Sequence, residues 1–261
     1  MKSRYNYNKL NLILLNIFTM MFIAKILSGD LHGITLDIKD IFVYYYSHTF
    51  LGEKITIINI LISVFPIIIV ISIFADEVSV ELEKNATYIF TRSIKRKKWI
   101  TNKFIHIFIS LIKIQLIQFS ISFMYFTALG YRINDLKSSL VIIIELFILT
   151  TLTQYILIVI ASLVTLKTSN IYGYTFCNFI FLINILIFHL FYFTKQTLVQ
   201  YLPFTQYILS IQENILVNRN IRYLSNFIPG YNFTEAVIYD IIIIITLILV
   251  GRKIIEKHEF Y

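Results

Sequence analysis

Three charged side chains lie within long apolar runs of this chain, more than a helical turn from the run ends: Lys113, Glu145 and Asp240. A charge in the hydrocarbon of a bilayer is costly, so each needs a partner, a water-filled cavity or a proton to exchange. At a rise of about 1.5 Å per residue, Lys113 and Glu145 on antiparallel neighbouring helices reach depths about 8 Å apart in a core about 30 Å thick. A lysine stem nearly closes that gap. One reading is an ion pair that fixes helix packing. The other joins them with Gln115, Gln118 and Gln154 as the polar lining of a substrate path. Asp240, near the outer end of its run, is placed to reach the interface.

No other chemistry is spelled out. The chain has no G-x-x-x-x-G-K-[ST] phosphate loop, no H-E-x-x-H and no G-x-S-x-G, and its 7 glycines are scattered. The single cysteine, Cys177, sits in an apolar run, so no intrachain disulfide or thiolate metal cluster can form. The 5 histidines lie far apart. The expectation is a protein that is not an enzyme and binds no metal or cofactor itself.

The elements that must position these residues are membrane spans. Hydrophobic residues make up 57% of the chain and charged ones 15%, where a soluble domain carries about 25% charge. The mean hydropathy is +0.75. Six apolar segments, 10–27, 55–75, 104–129, 140–166, 171–193 and 236–250, form one all-α membrane domain over residues 1–261. Lys2, Arg4 and Lys9 precede the first segment, but no A-x-A-like cleavage site follows it, so it reads as an uncleaved span. With the N-terminus inside, fourteen of the 23 basic residues fall on inner segments and eight on outer ones, which puts both termini in the cytoplasm. The net charge of +8 gathers at the ends of spans and forms no exposed basic domain, which argues against nucleic-acid binding. Residues 28–54, with Tyr44, Tyr45 and Tyr46, read as an interfacial helix with an aromatic belt. Residues 194–235 are too apolar for a solvated loop and read as short helices dipping into the membrane between spans 5 and 6. Enrichment in Ile, Asn, Lys, Tyr and Phe suits an AT-rich bacterial genome, hence a multi-pass protein of the bacterial cell membrane.

Charge concentrates in residues 76–103, between spans 2 and 3. Val78, Leu82, Ala86 and Ile89 recur at helical spacing, with Asp76, Glu77, Glu81 and Glu83 in the first turns, where the helix dipole favours carboxylates. Arg92, Lys95, Arg96, Lys97, Lys98 and Lys103 follow. The basic half is accounted for by anchoring at the membrane surface. The acidic, amphipathic half reads as a docking element.

This order resembles the permease subunits of type-2 ABC exporters. Glu83-Lys84-Asn85-Ala86-Thr87 stands where that family often has Glu followed by Gly-Thr. Thr91-Arg92-Ser93-Ile94-Lys95-Arg96 stands where it often has an apolar-Pro-Ile-Ser-Arg string, and Lys103 matches its closing Lys. The Gly and the Pro are missing here. The length, six spans, inside termini and a dipping segment between spans 5 and 6 also agree with the family. Tyr201-Leu202-Pro203-Phe204-Thr205-Gln206 is similar to the W-x-P-x-x-D signature of small Gram-positive permeases linked to peptide export or immunity, with Gln206 in place of Asp.

The resemblance implies an interfacial coupling helix that docks on a separate ATPase subunit through Glu77, Val78, Glu81, Leu82, Glu83, Ala86, Thr87, Ile89 and Phe90. It further implies ATP and Mg bound on that partner, and a second permease copy or paralogue. The expected function is ATP-driven export of an amphipathic peptide, for export or self-immunity. A lipid exporter, a secondary transporter relaying ions or protons through Lys113, Glu145 and Asp240, and a structural or sensory membrane protein stand as alternatives.

Overall fold

The computed structural model of the chain describes residues 2–30, 37–47, 57–91, 96–192, 194, 196–219, 221 and 224–257, of which 2–8, 24, 26–30, 57–63, 85–91, 196 and 257 are described as backbone alone. The described residues form helices α1 (Lys2–Asp30), α2 (Ile38–Ser47), α3 (Ile57–Phe74), α4 (Glu77–Thr91), α5 (Arg96–Ala128), α6 (Leu136–Thr165), α7 (Asn170–Phe191), α8 (Gln196–Val199) and α9 (Phe233–Lys257). Hydrocarbon offers no hydrogen-bond partner to the backbone, so a membrane-spanning segment bonds within itself as helix. Among the described residues four helices, α5, α6, α7 and α9, are long and apolar enough to cross a bilayer. The chain is an all-helical membrane protein.

Helix α6 is the axis of the bundle, in contact with α2, α3, α5, α7 and α9. Every residue from Thr153 to Val159 is buried, so this stretch is enclosed on all sides. It starts at Asp135, whose side chain accepts the Lys137 backbone N–H at 3.1 Å and the Ser138 hydroxyl. Lipid tails are as apolar as leucine, so close van der Waals approach holds such helices together. Helix α7 meets this need with Gly173, where an added Cβ would lie 2.3 Å from Thr165 Cγ2.

An ion pair and hydrogen bonds identify the ends of the bundle. At one end Lys97 pairs with Glu256 at 2.7 Å, and Arg252 Nε donates to Thr101 at 2.9 Å, so the start of α5 adjoins the finish of α9. At the other end the Ile38 N–H donates to the Arg132 carbonyl at 2.9 Å, joining the start of α2 to the α5–α6 connection.

Two expectations are corrected here. Helix α2 is not an interfacial aromatic belt, because Ile38, Ile41 and Phe42 are fully buried and Tyr44 nearly so. Its polar tips find partners within the bundle: the Tyr45 hydroxyl donates to the Met20 carbonyl at 2.8 Å, and Tyr46 shares a 2.9 Å hydrogen bond with Ser122. The connection from α7 to α9 contains only the four-residue α8 and one 3-10 turn, Leu209–Ile211, among its described residues. It is built from turns whose carbonyls are satisfied by buried side chains in place of helical hydrogen bonds.

Candidate functional site

Helix α4 is clamped onto the bundle at the end where α5 starts and α9 finishes. Val78 and Leu82 are buried, so the described half of the apolar stripe read as a docking face packs against the chain's own helices. The acidic residues on that side are paired as well. Lys103 Nζ of α5 lies 2.6 Å from Glu81 and 3.9 Å from Glu77, and Lys9 Nζ of α1 lies 3.3 Å from Glu77. Ser79 donates to Asn170 Oδ1 at 2.6 Å, which ties α4 to the first turn of α7. Three helices thus hold one face of α4, while Glu83 and Lys84 are exposed on another. The helix belongs to Glu77–Thr91 throughout, but the side chains of Ala86, Thr87, Ile89 and Phe90 lie outside the described residues, as do Arg92 and Lys95 altogether. Lys97 and Lys98 are exposed at the start of α5, with Arg96 half-buried. Lysines at positions 9 and 103 were legible only as span-end anchors, since nothing in one dimension brings them to Glu77.

The intramembrane charges do not converge. Lys113 is exposed on the outside of the bundle, and no salt bridge joins it to Glu145. The helical phase explains this: Gln115 and Gln118, two and five residues on, are the buried positions of that stretch. Glu145 instead accepts from Asn214 Nδ2 of the α7–α9 connection at 2.6 Å. Asp240 is enclosed by the bundle. It is fully buried and accepts from Thr153 of α6 at 3.3 Å. Gln115 and Gln154 do meet, Nε2 to Oε1 at 2.6 Å, as a neutral bond between α5 and α6.

The α7–α9 connection forms a cap over the opposite end of the bundle, organised by two side chains. Gln206, fully buried, donates from Nε2 to the carbonyls of Gln200 and Leu202 at 2.8 and 2.9 Å and accepts from the Tyr231 hydroxyl. A carboxylate at this position would only accept, which gives the Gln in the Tyr201–Gln206 string a structural reason. Arg219 donates to the carbonyls of Ser210 and Leu224 at 2.7 and 2.6 Å and to that of Gln212, and lies 4.8 Å from the centre of the Phe227 ring. Burial holds its guanidinium below the ordinary value. Between this cap and the first turns of α9 opens a cavity of about 410 Å³, lined among others by Gln200, Tyr201, Tyr231, Glu235 and Tyr239.

No curated protein and no solved structure matches the chain. A family model described as a protein of unknown function, DUF2705, matches residues 41–261, from within α2 to the last residue. The chain therefore belongs to the DUF2705 family.

Proposed function

We propose that this chain is the permease subunit of an ATP-driven exporter in the bacterial cell membrane, with six spans, both termini in the cytoplasm and ATP hydrolysed on a separate subunit. Helices α1 and α3 supply the two further spans, and the basic residues gathered around α4 put that end inside. The observation that carries the reading is α4 itself. A short amphipathic helix between two spans is gripped by α1, α5 and α7 through Lys9, Lys103 and Asn170. A push on such a helix reaches three spans at once, which is what a coupling element needs. The docking surface in this reading is the side bearing Glu83 and Lys84, while Glu77, Val78, Glu81 and Leu82 transmit the displacement. A second permease copy or paralogue completes the transporter, and an amphipathic peptide is the cargo. A proton relay is disfavoured by the separate placements of Lys113, Glu145 and Asp240.

Co-purification with an ATPase encoded beside this chain tests the reading. Glu83→Lys combined with Lys84→Glu should abolish capture of the ATPase and its stimulation by the permease. Full capture and stimulation by that variant would remove α4 as the docking element.

A further inference from the structure

The cavity between the cap and α9 has a wall chemistry of its own. Its volume of about 410 Å³ falls in the range of small-molecule sites, about 300–1,000 Å³. Several hydrogen-bond donors of the wall are spent inside the protein. The Tyr239 hydroxyl donates to the Tyr201 carbonyl at 2.6 Å, and the Tyr231 hydroxyl donates to Gln206 Oε1. The Gln206 amide gives its N–H groups to Gln200 and Leu202, and the Gly230 N–H is taken by Glu213 Oε2 at 2.7 Å. The lining keeps the side-chain donors of Thr197, Gln200 and Tyr201 beside acceptor oxygens, three tyrosine rings and one carboxylate, that of Glu235, its single charged side chain.

The one charge of this wall is negative, so a suited ligand brings positive charge together with hydrogen-bond donors. An ammonium group has three donors and no acceptor, and it is attracted to the faces of tyrosine rings. We propose that this cavity binds a primary ammonium group on an aliphatic stem, presented by a lysine side chain of a peptide. The floor is preformed, because Gln206 and Tyr231 are buried and bonded to each other, so binding orders few groups. Recognition here needs this chain alone, at the end of the bundle opposite α4, and so stands or falls apart from ATPase docking.

The test is binding to the full chain in phosphatidylcholine nanodiscs, a lipid without a primary amine. The probe is a five-residue peptide, Phe-Lys-Leu-Lys-Phe with blocked termini, measured by calorimetry beside its counterpart with both lysines acetylated. Saturable binding of the free-lysine peptide is expected, weakened at least tenfold by acetylation and at least tenfold by Glu235→Gln combined with Tyr201→Leu. Glu235 is exposed, and the Tyr201 carbonyl that receives Tyr239 survives the change, so the variant keeps the fold; its thermal unfolding should match the wild type. Replacing part of the lipid by phosphatidylethanolamine distinguishes the sources of the ammonium. Undiminished peptide binding supports the peptide source, and competitive loss reassigns the site to the lipid headgroup. Equal affinity for the acetylated peptide, or unchanged affinity in the double variant, overturns ammonium recognition.

Discussion

Removing Lys103 should loosen α4 without unfolding the bundle. Lys103→Met keeps most of the side-chain volume and deletes the charge that faces Glu81 at 2.6 Å and Glu77 at 3.9 Å. Exposed ion pairs contribute about 0.2–1 kcal/mol, whereas stripping one partner from a buried pair costs about 3–5 kcal/mol. The side chains of Lys103, Glu77 and Glu81 are 11%, 16% and 35% exposed. The cluster sits between those limits, near about 2 kcal/mol. Glu77 keeps Lys9 at 3.3 Å, which prevents the full buried penalty. A change of about 2 kcal/mol makes local opening about 30-fold more frequent. Hydrogen exchange in nanodiscs reads this directly: amides of Val80 to Leu82 should exchange about 30-fold faster, while those of Thr153 to Val159 in α6 stay protected. Exchanging the charges, Glu81→Lys with Lys103→Glu, should restore part of the protection only, because Glu77 then faces a carboxylate at position 103. Unchanged exchange in α4, or equal acceleration in α6, would refute the clamp.

Four further outcomes are expected. Gly173→Ala forces a methyl to within 2.3 Å of Thr165 Cγ2 and 3.0 Å of the Ala161 carbonyl; overpacking of this kind costs about 1–3 kcal/mol, visible as a lower thermal midpoint, whereas Gly251→Ala meets mainly side-chain atoms of Phe104 and Leu163 and should cost less. Gln154→Leu strands the Gln115 amide and should destabilise by about 1 kcal/mol, with Gln115→Leu added to it recovering most of the loss in thermal unfolding. Gln206→Glu replaces two donated bonds with carboxylate–carbonyl repulsion, so limited proteolysis should cut the cap in the variant at protease levels that spare the wild type. Burial holds the Asp40 carboxyl above its ordinary value, outweighing the Asp37 backbone hydrogen bond and the Lys39 charge. Its stability contribution is therefore complete in acid and lost as pH rises through the raised folded value; Asp40→Asn should match the wild type in acid and unfold at a higher temperature at neutral pH.

Much of the architecture is legible in one dimension because hydrocarbon permits so few solutions. Apolar runs near 20 residues dictate helices, and the segments at 104–129, 140–166, 171–193 and 236–250 correspond to α5, α6, α7 and α9. The amphipathic helix after residue 76 was legible from Val78 and Leu82 at a spacing of four, and α4 covers them. Gln115 and Gln154 were legible as polar residues in two adjoining spans, but their bond to each other was not. The direction in which each face points was not legible. A stripe such as Val78–Leu82 looks the same whether it covers a partner or the chain's own bundle, and only the arrival of Lys9, Lys103 and Asn170 decides for the bundle.

The same limit separates the charges. Composition and spacing alone established a membrane protein, its long helices and the presence of Lys113, Glu145 and Asp240 within apolar runs. Tertiary structure decided what each of them meets. Lys113 points away from the bundle because α5 is rotated to bury Gln115 and Gln118. Glu145 is met by Asn214, sixty-nine residues later in the chain, and Asp240 by Thr153, eighty-seven residues earlier. The tyrosines of α2 look interfacial by composition, yet insertion against α5 and α6 buries Tyr44 in the core and packs Tyr45 and Tyr46 against it. Helical periodicity is a local property of the backbone and can be read from neighbours in sequence. The partner of a polar side chain depends on how helices rotate and close on one another, which no local pattern encodes.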